Sequence, residues 1–215
     1  DWDAIEDRTR NLSKQPEWDS PQQIIEAVAE QFQIDKWSDQ DYRCEVWIEK
    51  EALAGVFERV CNAEQVPFFC CRGYTSQSEM WVAGQRLKAV IDEGKRPVIL
   101  HFGDHDPSGI DMSRDIADRL EMFVGEPISF ERLALNMEQI KQYSPPPNPA
   151  KVTDSRFASY QEIYGDESWE LDALEPDVLA DLVRGHIEEH RDPVLWESAI
   201  ERENEHKRLL TVVAK

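Results

Sequence analysis

Four short apolar runs, each followed by a stretch long enough for a helix, constrain this chain more than any other feature. Arg43–Glu49, Pro67–Cys71, Pro97–Phe102 and Ile128–Leu135 read as strands. The segments after them read as helices: one through about Asn62, one over Ser78–Glu93, one over Gly109–Val124, and a short one capped by Asn136. Strands that alternate with helices in this way predict βαβ units and a mostly parallel four-stranded sheet. The expected fold is therefore α/β and Rossmann-like, with additional flanking helices. Sheets of this kind place functional groups outside the carboxyl ends of their strands.

The flanks have a different pattern. Residues 20–34 predict a helix, with Ser20 as cap, Pro21 in the first turn, and a stripe of Ile24, Ile25, Val28 and Phe32. Ser144–Pro149 contains four prolines and predicts a stiff extended segment in which no helix forms. Asp177 to about His190 and Pro193 to about Leu210 read as two long polar helices. The expected division is a helical segment over 1–42, the α/β domain over 43–175, and C-terminal helices over 176–215 packing on it.

No apolar run approaches the roughly 20 residues that span a bilayer. The start, Asp1-Trp2-Asp3, has no apolar h-region, so no signal peptide and no membrane partner are expected, and the location is read as cytoplasmic. The chain also starts without Met, so residues upstream are expected. Cys44, Cys61, Cys70 and Cys71 lack a Cys-x-x-Cys spacing and read as reduced core thiols. The net charge of −20 argues against a simple nucleic-acid binder. Locally the balance is kinder. Arg72, Arg86 and Lys88 outnumber Glu79 over 67–88, and Lys141, Lys151 and Arg156 outnumber Glu138 and Asp154 over 136–160.

The chemistry gathers at two strand ends. Glu49 closes the first strand, and Gly103-Asp-His-Asp-Pro-Ser-Gly109 follows the third. Asp104 and Asp106 are two apart, so on an extended chain they share a side. Three carboxylates at one edge repel one another unless a cation neutralises them. Oxygen-only ligands select a hard ion, Mg²⁺ first and Mn²⁺ as substitute. The bland alternative makes both aspartates turn and cap residues before a helix.

Glu49-Lys50 after a strand, followed by Asp104-His-Asp-Pro-Ser-Gly-Ile110, resembles the Toprim domain, and most closely the branch found in the A subunit of topoisomerase VI and in meiotic double-strand-break transesterases. Arg72-Gly73-Tyr74 is similar to that branch's Gly-Tyr loop, and Glu170-Leu-Asp-Ala-Leu174 to its Glu-Leu-x-Ala-Leu element. The resemblance spans roughly residues 43–190. It implies Glu49 as metal ligand and general acid/base, and Asp104 and Asp106 as metal ligands. It also implies DNA as partner, a nucleoid-associated location, and cleavage and rejoining of strands. A second copy of the chain and an ATPase-type subunit are compatible partners. Lys50, Arg72, Lys151 and Arg156 are the candidate DNA contacts.

Topoisomerases of this branch attack DNA with a tyrosine on a preceding winged-helix domain. The 48 residues before Glu49 are too few for that domain, so it is expected upstream of Asp1. Tyr42 starts the first strand, far from its catalytic end, and Tyr74 reads as a packing or stacking residue of its loop. The alternatives are a stand-alone metal-dependent nuclease that uses water, or a non-catalytic metal-binding or dimerisation module. Two other motifs compete. His186-Ile-Glu-Glu-His190 matches an inverted zinc-peptidase pattern, although Leu179, Leu182 and Val183 on that face predict packing instead. Asp-x-Asp also occurs in phosphatases, but there it follows the first strand. Pro145–Arg156 is expected either to guide a nucleic-acid backbone or to strap two parts of the surface together.

Overall fold

A computed structural model describes residues 17–213; the earlier part of the expected 1–42 segment lies outside them. The chain divides into two compact units, residues 35–197 and a second formed by residues up to 34 together with those from 198 onward.

The first unit is built on the predicted strands. β1 (Tyr42–Ile48), β2 (Phe68–Cys70), β3 (Arg96–Phe102) and β4 (Ser129–Ala134) form one sheet in the order β2-β1-β3-β4, and every pairing is parallel. The fold is α/β and Rossmann-like, as the alternation predicts. The connections are helical: α2 (Ala54–Ala63), preceded by a 3₁₀ turn at Glu51–Leu53, then α3 (Gln77–Asp92) and α4 (Pro107–Val124). Helix α1 (Pro21–Gln31) belongs to the second unit, and its Ser20 cap accepts a bond from the Gln23 N–H at 3.3 Å.

Period-two alternation sends β1 and β3 side chains to two cores. Val46, Ile48, Val98, Leu100 and Phe102 pack on one face with Phe57 and Val60 of α2. Trp47 and Ile99 pack on the other with Met80 and Leu87 of α3 and Ile116 and Leu120 of α4. Each such side chain, fully buried, contributes about 1.5–3 kcal/mol. Close approach of α3 and α4 requires Gly84, because a Cβ there would lie 2.5 Å from Phe123 Cβ.

Beyond the sheet, α5 (Met137–Tyr143) starts with a capping box in which Asn136 N–H donates to Gln139 Oε1 at 2.9 Å. The proline run carries no helix, as expected; it starts from Ser144 at a positive φ of 48° and enters β5 (Asn148–Pro149). Two features were not anticipated there: α6 (Phe157–Tyr164), and the antiparallel pairing of β5 with β6 (Glu167–Ser168). α7 (Pro176–Glu189) inserts Leu179, Val183 and Ile187 into the α2-side core, and α8 (Pro193–Val213) follows. No helix among the described residues is long and apolar enough to cross a membrane.

Cys44, Cys61 and Cys71 are buried free thiols, and Cys70 is half-buried. His186 bonds Glu189, while His190 bonds Glu131 and packs on Tyr42. The two histidines thus turn to different carboxylates.

A candidate acidic site at the sheet edge

β1 and β3 are neighbours, in register from Tyr42↔Arg96 to Ile48↔Phe102. Their carboxyl ends therefore emerge side by side. The ladder continues one step further, with the Glu49 N–H donating to Phe102 O at 2.9 Å and the Gly103 N–H to Ala134 O at 2.8 Å. This continuation brings Glu49 against the start of the Asp-x-Asp segment. Glu49 Oε2 accepts from the Asp104 N–H at 3.2 Å. Asp104 Oδ1 accepts from the Leu171 N–H at 2.7 Å.

Asp106 has the helix-cap role that the bland reading gives it. Its Oδ1 accepts from the Gly109 N–H at 2.6 Å, and Pro107 opens α4. Gly109 is needed for this turn, since a Cβ there would sit 2.3 Å from Asp104 O. Between the two aspartates His105 turns away. Its backbone exchanges bonds with Trp169 at 2.8 and 3.0 Å, and its ring lies among Tyr160, Tyr164 and Trp169. Burial, reinforced by the Arg132 charge, lowers His105 to about 4 and keeps it neutral.

Electrostatics set Glu49 apart. Burial, and then the Asp104 and Asp106 charges, push its carboxyl up to about 7. Burial also raises Asp104, against the opposing pull of the Leu171 N–H and Lys50. A cation placed here would relieve both. The donor set is oxygen-only, which fits Mg²⁺ or Mn²⁺ and not zinc. The edge is not a preassembled cage, because no group of three His, Cys, Asp or Glu among the described residues is arranged to hold an ion. Mg²⁺ needs only one or two carboxylates, with waters and substrate oxygens completing its shell. The residues present therefore fit that ion by chemistry.

Three of the four candidate cations are engaged. Lys50 Nζ lies 2.6 Å from Glu170 and 2.5 Å from Asp172, which fastens the 170–174 element to the edge from which Leu171 reaches Asp104. Arg72, at a positive φ of 51°, pairs with Glu51 at 2.5 Å. Arg156 pairs with Asp111 at 2.7 Å and Asp154 at 3.1 Å, and lies over the Tyr74 ring. Asp154 in turn accepts from Ser108 at 2.5 Å. Lys151 is exposed in the turn between β5 and α6. The Pro145–Arg156 segment is thus anchored at Asp154 and Arg156 to the start of α4. Tyr74 donates to Asp111 at 2.6 Å, and burial together with that bond pushes its phenol up to about 12. A hydroxyl held in that way is not an activated nucleophile.

Arg132 was not singled out from the sequence, yet it sits at the centre. It lies in β4 opposite His101. Its Nη2 donates to Asp104 O at 2.7 Å, Gly103 O at 3.2 Å and Leu135 O at 3.3 Å, and its Nη1 to Ser113 Oγ at 2.5 Å. The available signal was an arginine just before the apolar run Leu133-Ala134-Leu135, where a free surface cation is out of place.

The fold and this edge define an α/β domain whose acidic strand ends are clamped by a half-buried arginine. The chain gave no match when compared with protein-family models, with curated proteins and with solved structures.

Proposed function

We propose that Glu49, Asp104 and Asp106 bind Mg²⁺, with Mn²⁺ as substitute, and that the edge handles a DNA phosphodiester in strand cleavage and rejoining, in the manner of the Toprim domain of a type IIB topoisomerase A subunit. The observation that carries this reading is the Glu49–Asp104 contact across adjacent strand ends, with Asp106 two residues on. The bound ion would neutralise the carboxylates and the negative charge that develops on phosphate oxygens. Glu49, pushed up to about 7, is poised to hold or release a proton near neutrality. Asp104 is fixed by Leu171, and Asp106 is fixed as the cap of α4. The exposed Arg72–Glu51 pair is worth at most about 1 kcal/mol and can open toward a phosphate. Lys151 and Arg156 offer further backbone contacts, and Lys50 steadies the 170–174 element. A second copy of the chain and an ATPase-type subunit are the partners that this reading admits.

A second reading, hydrolysis with water as nucleophile, is favoured by one observation. Tyr74 is committed to Asp111 and held far from ionisation. Strand transfer would need a tyrosine from elsewhere. Supercoiled plasmid incubated with Mg²⁺ or Mn²⁺ separates the two: ends covalently linked to protein indicate transesterification, and free ends indicate hydrolysis. No nicking under either metal would leave the edge a metal-binding or dimerisation module. Cleavage that survives Asp104→Asn would sink the site itself.

A further inference from the structure

We infer that the cavity between α4 and α6 takes one unpaired base of a nucleic-acid strand, so that the acidic edge works on single-stranded DNA or on a locally opened duplex. This rests on the DNA reading above and names the form of its substrate.

The cavity measures about 290 Å³ and lies against the acidic string, because Pro107, the residue after Asp106, forms part of its wall. Ile110 of α4 and Tyr160, Ile163 and Tyr164 of α6 give it an apolar and aromatic lining. Tyr160 is itself tied to the string by a bond to His105 O at 3.0 Å, and the Tyr164 ring lies 4.6 Å from the His105 ring. Ile163 nevertheless keeps 72% of its surface exposed, so an apolar wall of the cavity stands open to solvent. Pockets for whole small molecules run to roughly 300–1,000 Å³. One flat ring system suits this one, and a stretch of nucleotide chain does not.

Charge decides against a phosphate as the occupant. The cationic residues on the cavity are Arg114 and Arg156. Asp111 pairs with both, Asp118 with Arg114 and Asp154 with Arg156, so the carboxylates that hold the two guanidiniums already outnumber them. An incoming phosphate would have to displace one of these acids, whereas an uncharged base meets no such repulsion.

The guanidiniums are held rigid and still have donors to spare. Arg156 is fixed by Asp111 at 2.7 Å, by Asp154 at 3.1 Å and by the Tyr74 ring beneath it, and among the described residues nothing accepts from its Nη2. Those protons suit the carbonyl oxygens and ring nitrogens on the edge of a base. In this arrangement Arg156 meets the base, and Lys151 remains as a backbone contact. A base inside a duplex is stacked and paired, and reaches such a cavity only after it has left the helix. Apolar and aromatic walls then replace the stacking it gives up.

The test measures binding of short fluorescent oligonucleotides to the full chain by anisotropy, with Ca²⁺ present. Three probes of equal length are compared: a single strand, its duplex, and the same strand with abasic sugars throughout. The single strand should bind about fivefold or more tighter than the other two. Ile163→Gln should weaken the single strand by about fivefold or more and leave the duplex unchanged, while Ile163→Leu keeps the wild-type affinity. An exposed position on α6 tolerates either side chain. Equal affinity for the abasic strand, tighter binding of the duplex, or an unchanged Ile163→Gln would overturn the base pocket and leave the DNA reading standing. No binding of any probe would overturn the DNA reading and the inference with it.

Discussion

Glu49 and Asp104 meet through one bond, the Asp104 N–H donating to Glu49 Oε2 at 3.2 Å across the neighbouring ends of β1 and β3. That bond favours the charged form of Glu49, yet burial and the adjacent carboxylates outweigh it and push the group up from 4.5 to about 7. A carboxyl raised on folding means that the folded state holds a proton the unfolded chain has released. Its contribution to stability therefore falls as pH rises between 4.5 and 7.

Glu49→Gln removes this loss. Without divalent ions, the variant should gain on the wild type progressively from pH 5 to pH 8, by up to about 3 kcal/mol. The comparison must be a difference, because His101, lowered to about 3, and His105, lowered to about 4, work in the opposite sense. Both histidines are neutral when folded, so their contribution is present above pH 6.5 and is lost as pH falls. They are common to both proteins and cancel. Urea unfolding at four pH values checks the prediction, and parallel stability curves for the two proteins would contradict it.

Gly109→Ala should be far more damaging than its size suggests. The added methyl would meet Asp104 O at 2.3 Å, inside any tolerable contact, and α4 cannot retreat without dragging the Asp106 cap with it. A loss of about 1–3 kcal/mol is expected, accompanied by weaker Mn²⁺ binding. Thermal unfolding and metal titration of the one variant check both. This glycine is part of the acidic string because the turn has no room for a side chain.

The fold could be read in the sequence because its elements obey local rules. β3 holds the apolar run Val98–Leu100 and β1 ends in Val46-Trp-Ile48, α4 begins at a proline after a capping aspartate, and α5 follows its cap Asn136 with Gln139 three residues on. The Glu49 and Asp-x-Asp ends followed from strand direction alone. α6 escaped because it is only eight residues long and comes just after a proline-rich stretch and a turn. The Arg132 clamp escaped for a different reason. A side chain that crosses from β4 to the end of β3 obeys no sequence period, and its partners are backbone carbonyls that carry no residue signature. The ion pairs of Lys50, Arg72 and Arg156 were hidden in the same way, since each of the three reaches a partner more than 20 residues away in the chain.

Tyr160→Phe probes the far side of the acidic string. The Tyr160 hydroxyl lies 3.0 Å from His105 O, 2.9 Å from Glu167 O and 2.9 Å from His105 Nδ1. With the hydroxyl gone, two carbonyls and a ring nitrogen lose their shared partner in a buried place. The expected cost is about 1–3 kcal/mol. Hydrogen exchange should show faster opening of the His105 and Trp169 amides, which pair with each other's carbonyls. Unchanged protection there would show that the antiparallel β5–β6 pair holds the 105–169 bridge unaided.

Asp106 serves two ends at once, and substitution can separate them. As N-cap of α4 it accepts the Gly109 N–H, a task that asparagine performs as well as aspartate. As a proposed metal ligand it must carry charge, which asparagine cannot. Asp106→Asn should therefore leave stability within about 0.5 kcal/mol of the wild type. It should also lower metal-dependent plasmid cleavage by about a hundredfold or more. Asp106→Ala removes both functions and should in addition lose about 1 kcal/mol from the missing cap. Chemical denaturation and a cleavage time course on the two variants give the answer. Full cleavage by Asp106→Asn would confine Asp106 to its structural role and leave Glu49 and Asp104 as the whole of the site.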